Sequence, residues 1–214
     1  MHACRICGAG TVSAGSRRGD LSGRDFELRR CEACGFGFVA EPRTDYDAIY
    51  DDAYYAGRGV DPLVDYVYEF EHPLETVRRY EWHGIVTAVS ALTSVGPDTA
   101  WLDYGCGTGG LFFLTTGNAG PRHGDLVGWS YVRPEIHVSF FEPRTLAEAL
   151  RRTGFEPAFP GYGPGWPDII RFKLLKNLGR KRAGRLDGLL PWGPIARTLD
   201  RRYGLSGHPV GWAA

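Results

Sequence analysis

Apolar residues recur every three or four positions between residues 74 and 95, the spacing that gathers them on one face of a helix. The stripe includes Leu74, Val77 and Ile85. Pro73 suits the start of a helix, and the Gly-Pro pair at 96–97 stops one. The pattern therefore predicts a helix over 74–95.

Two apolar runs follow this helix, and a glycine-rich loop separates them. Residues 100–102 read as a buried strand that leads into Asp103, and 111–116 (LFFLTT) read as a second strand. The first strand extends to Tyr104, so only residues 105–110 separate it from the second, whereas a parallel crossover connection needs about a dozen residues or more. We therefore expect either an antiparallel hairpin or one unpaired strand.

Short elements are predicted on both sides of these runs. Residues 25–29 alternate as a strand does, and the apolar run at 35–39 follows them. Further on, Thr145 and Glu148 have the spacing of a capping box, and Gly154 marks the end of that helix.

The last quarter of the chain reads as two helices. The first is predicted from Asp168, a residue type that caps helix N-termini, to Leu178, and the second from Pro194 to Tyr203. A glycine follows each of them.

Length and composition are those of an ordinary soluble protein with one substantial domain and a small accessory one. The chain has 214 residues, 43% of them hydrophobic and 23% charged. No apolar run approaches the roughly 20 residues that span a bilayer, and the N-terminus lacks the apolar core of a signal peptide. We therefore expect a cytoplasmic protein without a membrane partner.

Charge is balanced over the whole chain but not along it. The 25 basic and 25 acidic side chains cancel, which argues against a dedicated nucleic-acid-binding protein. Residues 41–81 nevertheless contain eleven acidic and four basic side chains, and residues 168–202 contain ten basic and three acidic ones. These segments predict two solvated faces, which could dock on each other; the alternative is a site for an acidic partner or a phosphate.

Four cysteines form two C-x-x-C-G pairs near the N-terminus, 23 residues apart: Cys4, Cys7, Cys31 and Cys34. Each pair fits a tight turn that presents two thiolates, and four thiolates make a closed tetrahedral zinc site of the structural type. Two disulfides or a redox-active pair are the alternatives. Disulfides do not suit a cytoplasmic chain, and neither pair lies in a βαβ pattern. The spacing predicts one zinc ion in a zinc ribbon, and the binding of the metal would then be coupled to folding.

The glycine loop LDYGCGTGG resembles the cofactor loop of class I S-adenosylmethionine (SAM)-dependent methyltransferases. AIYDDAYYAG at 48–57 similarly resembles the segment that precedes the catalytic domain in members with an N-terminal zinc ribbon. The resemblance implies that the methionine end of SAM lies against four residues of the loop: Asp103, Gly105, Gly107 and Gly109. It also implies that His137 is a candidate catalytic or substrate-positioning residue; a structural histidine held by a hydrogen bond is the alternative.

The implied fold class is α/β, with an incomplete Rossmann-like methyltransferase domain preceded by a small zinc ribbon. The predicted domains are a zinc ribbon (1–40), a linker and helical lead-in (41–97), a partial SAM-methyltransferase domain (98–160) and a helical tail (161–214). The strands that would bind the ribose and adenine of SAM have no counterpart, so the chain reads as an internally deleted member of the family. A deletion or a sequence error would leave the same pattern.

The resemblance implies methyl transfer to a small-molecule or sugar-type acceptor. The missing strands predict weak SAM binding and uncovered apolar residues at 111–113, through which a protein partner or a second copy could bind. The alternative function is a non-enzymatic zinc-ribbon module that binds a protein partner. A different Rossmann-type nucleotide-binding protein is disfavoured because no βαβ unit follows the loop.

Overall fold

The computed structural model describes residues 2–59, 61–91, 112–122, 124–159, 161–203 and 210–213. Seven strands lie in this part of the chain: β1 (Thr11–Arg18), β2 (Asp25–Cys31), β3 (Gly37–Val39), β4 (Phe112–Thr115), β5 (Ser139–Phe140), β6 (Pro157–Ala158) and β7 (Val210–Ala213). The α-helices there are α1 (Asp52–Tyr55), α2 (Tyr66–Glu71), α3 (Arg78–Ser90), α4 (Pro143–Arg152), α5 (Trp166–Asn177) and α6 (Trp192–Tyr203). The protein is thus mixed α/β, as predicted.

The strands form two sheets, and every strand pair in the described residues is antiparallel. One sheet has the order β1-β2-β3-β5, and the other has the order β4-β7-β6. A Rossmann-like domain has a parallel sheet, so the described residues do not confirm that part of the expected fold class. The predicted strand at 100–102 and the glycine loop lie outside the described residues.

The chain divides into two compact units. The first contains the described residues up to 49, those between 112 and 159, and 210–213; it includes both sheets and α4. The second contains the described residues of 50–91 and 161–203, and it is helical.

The first unit folds around the four-stranded sheet. Strand β2 alternates as the sequence predicts, with Phe26 and Leu28 buried and Asp25 and Glu27 exposed. Its buried face packs with Val39 and Phe140 from the neighbouring part of the sheet. The apolar core of the unit therefore unites the N-terminal strands with residues more than one hundred positions away.

The second unit is built on the packing of α3 against α5. Val77, Tyr80, Phe172 and Leu175 form a buried cluster between these segments. The predicted start of the first of these helices is wrong, since α3 begins at Arg78 rather than residue 74. Residues 75–77 are instead bonded to 181–183 through an isolated β-bridge, in which the N–H of Val77 donates to the carbonyl of Lys181.

Two predicted helix caps are also wrong in detail. The capping box of α4 joins Glu142 and Thr145, with Pro143 at the first helical position, whereas the sequence suggested Thr145 and Glu148. Helix α5 begins at Trp166, so Asp168 lies inside its first turn and contacts His83 instead of capping the helix. The predicted end of α4 is confirmed, because Gly154 adopts φ +89° just after it.

Candidate metal centre

Each C-x-x-C-G segment folds as a tight turn with the same hydrogen bonds. In the first, Gly8 N–H donates to the carbonyl of Cys4 at 2.9 Å; in the second, Gly35 N–H donates to the carbonyl of Cys31 at 2.8 Å. Gly8 and Gly35 have φ +77° and +83°, values that side chains with a Cβ rarely adopt. The trailing glycine is therefore what lets each turn close and aim its two sulfurs at one point.

The two turns bring four sulfur atoms together. Sγ of Cys4 lies 3.6 Å from Sγ of Cys34, Sγ of Cys7 lies 3.5 Å from Sγ of Cys31, and all four sulfurs lie within 4.8 Å of one another. A tetrahedral zinc ion with Zn–S bonds of about 2.3 Å needs sulfurs about 3.8 Å apart. The spacing fits a metal ion such as zinc, and all four cysteines are free thiols, so the structure contains neither of the disulfides considered as alternatives.

The four thiols differ in burial, and the pKa values of three of them, Cys7, Cys31 and Cys34, are shifted. Cys4 and Cys31 are buried, Cys34 is half-buried and Cys7 is exposed. Burial raises the pKa of Cys31 and of Cys34. A hydrogen bond from the backbone of Ala9 lowers the pKa of Cys7 to about 7, which burial partly opposes. A cation at the centre of the cluster would favour the thiolate form of all four.

Aromatic residues enclose the buried side of the cluster. Cys4, Ile6 and Cys31 share a core with Phe36 and Phe38, whose rings stack at a centroid distance of 5.6 Å. A site built from four cysteines leaves no coordination position for water or substrate. The arrangement is therefore suited to holding structure rather than to chemistry at the metal.

The cluster is joined to a distant part of the same unit. Gly37 and Phe38 of β3 pair with Phe140 and Ser139 of β5, and the ring of Phe141 lies 5.0 Å from that of Phe36. A Cβ on Gly37 would come within 3.0 Å of Leu126, so glycine permits this close approach. The sequence did not predict the pairing of β3 with β5. The local signal that could have suggested it is the short, mostly apolar run at residues 138–141.

Glu135 is a second residue that sequence reasoning missed. Its carboxylate is 3% exposed and accepts backbone N–H bonds from Leu21 and Ser22, both at 2.8 Å, in the turn between β1 and β2. Arg43 lies 3.4 Å away. Burial alone would raise the pKa of Glu135, but the bonds from Ser22, Leu21 and Arg43 outweigh it and hold the pKa below its usual value.

His137 is held in place by the segment that precedes it. Its Nδ1 lies 2.7 Å from the carbonyl oxygen of Tyr131, and its ring stacks on the Tyr131 ring at 4.1 Å. When Nδ1 carries the proton and donates to that carbonyl, Nε2 is the acceptor nitrogen of the ring. The contacts are those of a positioned imidazole, and they do not bring it to the four cysteines.

The SAM-binding residues predicted from the resemblance lie in a part of the chain that the structure does not describe. Asp103, Gly105, Gly107 and Gly109 all lie outside the described residues. Leu111 lies outside them as well, whereas Phe112 and Phe113 belong to β4.

An open cleft of about 340 Å³ lies beside the turn that Glu135 holds. Its arginines already have acidic partners: Arg24 lies 3.7 Å from Glu41, and Arg43 bonds Asp45 with its Nε at 2.8 Å. Because the positive charges are matched in this way, the cleft shows no surplus charge for an anion.

The tyrosine-rich segment forms a ring cluster in the second unit. Tyr54 is buried, its ring stacks on that of Tyr66 at 5.6 Å, and Tyr50 and Tyr55 contact it edge-on. Burial, followed by the hydrogen bond to Tyr66, raises the pKa of Tyr54. These contacts are those of side chains that pack together.

Comparison with protein-family models, with curated proteins and with solved structures found no match to this chain. Within the described ranges, no helix is both long enough and apolar enough to cross a membrane.

Proposed function

We propose that Cys4, Cys7, Cys31 and Cys34 bind one structural Zn²⁺ ion per chain. The observation that carries the proposal is the convergence of the four sulfurs within 4.8 Å on two glycine-closed turns. Zinc matches the all-sulfur donor set and the near-tetrahedral spacing. The ion would cross-link the segment before β1 to the turn between β2 and β3, and so fix the sheet to which β5 is paired.

Metal analysis of protein purified without chelator tests this proposal. We expect about one equivalent of zinc in the wild type and a loss of most of it in the double variant Cys4→Ser/Cys31→Ser, together with lower thermal stability. The fifth cysteine of the chain supplies a matched control, and Cys106→Ser should keep its zinc. Full metal content and unchanged stability in the double variant would exclude the site.

We further propose, from the sequence resemblance, that the chain is related to SAM-dependent methyltransferases that carry a zinc ribbon. The supporting observation is the loop LDYGCGTGG after an apolar run, in the order ribbon, tyrosine segment, loop. Methyl transfer to a small-molecule or sugar-type acceptor needs donor and acceptor held in line, with a base only where the acceptor must lose a proton. His137 is the candidate for that role, and a zinc-ribbon module that only binds a protein partner is the alternative function.

Binding of SAM to the purified chain is predicted to be weak or absent. A full site contacts the amino-acid end, the ribose and the adenine of SAM, and only the first has matching residues here. A lost pair of hydrogen bonds from the ribose to a carboxylate costs about 1.5–3 kcal/mol, and a lost adenine pocket also removes apolar burial. Since each 1.4 kcal/mol or so is tenfold in affinity, the combined loss is several orders of magnitude.

Isothermal titration calorimetry of the zinc-loaded chain with SAM measures the affinity for the cofactor. We expect no binding in the micromolar range for the wild type or for Gly107→Val. Micromolar binding that Gly107→Val abolishes would show instead that a working cofactor site survives in this sequence.

A further inference from the structure

Residues 178–190 of the second unit expose an unusual number of aliphatic side chains. Leu178, Leu186, Leu189 and Leu190 are 76%, 71%, 76% and 50% exposed. Single exposed leucines are common in folded proteins, but four within one short connecting segment need an explanation. We name this stretch the leucine loop.

The leucine loop is held in a defined shape. Asp187 is buried, and its carboxylate accepts the backbone N–H of Gly184 at 2.6 Å and lies 3.5 Å from the guanidinium of Arg180. Leu189 N–H closes a turn onto the carbonyl of Leu186 at 3.0 Å. These bonds fold the segment back on itself. The polar groups named here have partners inside the loop, whereas the leucine side chains remain exposed to solvent.

The β-bridge to residues 75–77 anchors the middle of the loop. Val77 N–H donates to the carbonyl of Lys181 at 2.9 Å, and Ala183 N–H donates to the carbonyl of Glu75 at 2.6 Å. One residue before Glu75, Leu74 is 79% exposed. The apolar surface therefore continues onto the neighbouring segment.

Positive charge accompanies the exposed leucines. The loop contains Arg180, Lys181, Arg182 and Arg185, and Asp187, its one acidic residue, is buried inside it. Arg180, Arg182 and Arg185 are exposed. Arg180 is paired with Asp187 and Lys181 with Asp65, so Arg182 and Arg185 carry the excess positive charge beside the exposed leucines.

We propose that the leucine loop docks on the surface of an anionic phospholipid bilayer. Aliphatic side chains on a turn can enter the boundary between headgroups and acyl chains, and flanking arginines bind the acidic headgroups. Protein interfaces are enriched in aromatic residues as well as arginine, and leucine is under-represented among their hot spots. Residues 178–190 contain no aromatic side chain, so leucine with arginine fits a lipid surface better than a protein partner. The sequence alone had given no reason to expect a membrane, because the exposure of the leucines is visible only in the fold.

Co-sedimentation of the zinc-loaded chain with vesicles tests the proposal. One set of vesicles contains phosphatidylcholine alone, and the other contains about one third phosphatidylserine. We expect binding to the anionic vesicles at least about tenfold stronger than to the neutral ones, and we expect it to weaken in 0.5 M salt because screening shortens the range of the attraction (about 10 Å at 0.1 M).

Two variants separate the apolar and the charged contributions. Leu186→Ser/Leu189→Ser and Arg182→Gln/Arg185→Gln should each reduce binding to anionic vesicles about tenfold or more. The matched controls alter exposed residues of the first unit, Val12→Ser/Leu21→Ser and Arg151→Gln/Arg152→Gln, and should bind like the wild type. Circular dichroism verifies that each variant is folded.

Three results would overturn the proposal: equal binding to both kinds of vesicle, no binding to either, or unchanged binding of both loop variants. Sedimentation velocity without lipid tests the main alternative, in which the leucine loop binds a second copy of the chain. If the wild type is a dimer that Leu186→Ser/Leu189→Ser converts to a monomer, and vesicles do not bind, the loop is an interface between two copies of this chain.

Discussion

A carboxylate removed from water is costly unless hydrogen bonds replace the lost solvent, and Glu135 shows how this fold meets that cost. Two backbone N–H groups of the turn between β1 and β2 donate to it, and Arg43 supplies a positive charge. The partners lie more than ninety positions away in the sequence. One side chain therefore ties the hairpin of the N-terminal strands to the segment that precedes β5.

Replacing Glu135 by glutamine tests this role. The amide keeps one acceptor but turns its NH₂ group toward a backbone donor and removes the charge near Arg43. We expect the free energy of unfolding in urea to fall by about 1.5–3 kcal/mol at pH 7. Glu148→Gln, which alters an exposed i,i+4 pair with Arg152, should cost no more than about 0.5 kcal/mol.

The difference in stability between the wild type and Glu135→Gln should depend on pH in a defined direction. The pKa of Glu135 is lower in the folded protein than its ordinary value of 4.5, so its contribution is complete above pH 4.5 and is lost as the pH falls through the folded value. The stability difference between wild type and Glu135→Gln should therefore shrink in acid. A difference that stays constant from pH 7 to pH 3 would mean that the charge of Glu135 has no part in it.

Helices α3 and α5 of the second unit approach closely because a glycine lies at the contact. An added Cβ on Gly84 would come within 2.8 Å of the carbonyl oxygen of Gly165 and 3.0 Å of Ile169. Glycine in the middle of a helix costs up to about 1 kcal/mol relative to alanine. Its presence inside α3 is therefore explained by packing rather than by helix propensity.

Gly84→Ala should destabilise the protein although alanine is the better helix former. Forcing a methyl group against a backbone carbonyl costs about 1–3 kcal/mol, more than the gain in propensity. Gly188→Ala is the control, because nothing lies within 4 Å of a Cβ there. Thermal and urea unfolding measure both variants, and a more stable Gly84→Ala would show that α3 and α5 separate easily.

The sequence predicted some local features correctly, although it misplaced the caps of α4 and α5, and it predicted no long-range contact. The cysteine turns and the end of α4 at Gly154 depend on residues a few positions apart, so their spacing alone predicts them. The start of α3 was misjudged because residues 75–77 bond to 181–183, a contact that no periodicity records. The binding of Glu135 to the turn near Leu21 was invisible for the same reason.

At the scale of the whole chain, the acidic and basic segments turn out to neutralise each other within the second unit. Asp61 lies 3.9 Å from Lys176, Asp65 lies 3.3 Å from Lys181, and Glu81 lies 3.3 Å from Lys173. The sequence left open whether these segments dock on each other, and here they do. Most of these pairs are partly exposed and contribute little individually.

Arg78 is the exception, because it is mostly buried and joins two carboxylates. Its Nε lies 3.1 Å from Glu69, its Nη1 lies 2.6 Å from Glu81, and its guanidinium stacks on the ring of Phe172 at 4.8 Å. Burial opposes the charge of Arg78, but Glu81 and Glu69 outweigh it and raise the pKa of Arg78. Removing the arginine would leave Glu69 buried without this partner.

Arg78→Ala should therefore lower the free energy of unfolding by about 3–5 kcal/mol at pH 7, the usual cost of breaking a buried ion pair from one side. Arg78→Lys keeps the charge but not the fork of donors and should fall between the alanine variant and the wild type. Burial already raises the pKa of Glu69, and loss of Arg78 should raise it further. This carboxylate should then take up a proton more readily in the folded variant as the pH falls, and the loss of stability should become smaller. Urea unfolding at pH 7 and pH 5 measures this, with the exposed Arg152→Ala as control. If Arg78→Ala loses no more free energy of unfolding than Arg152→Ala at both pH values, the ion pairs of Arg78 with Glu69 and Glu81 do not stabilise the second unit.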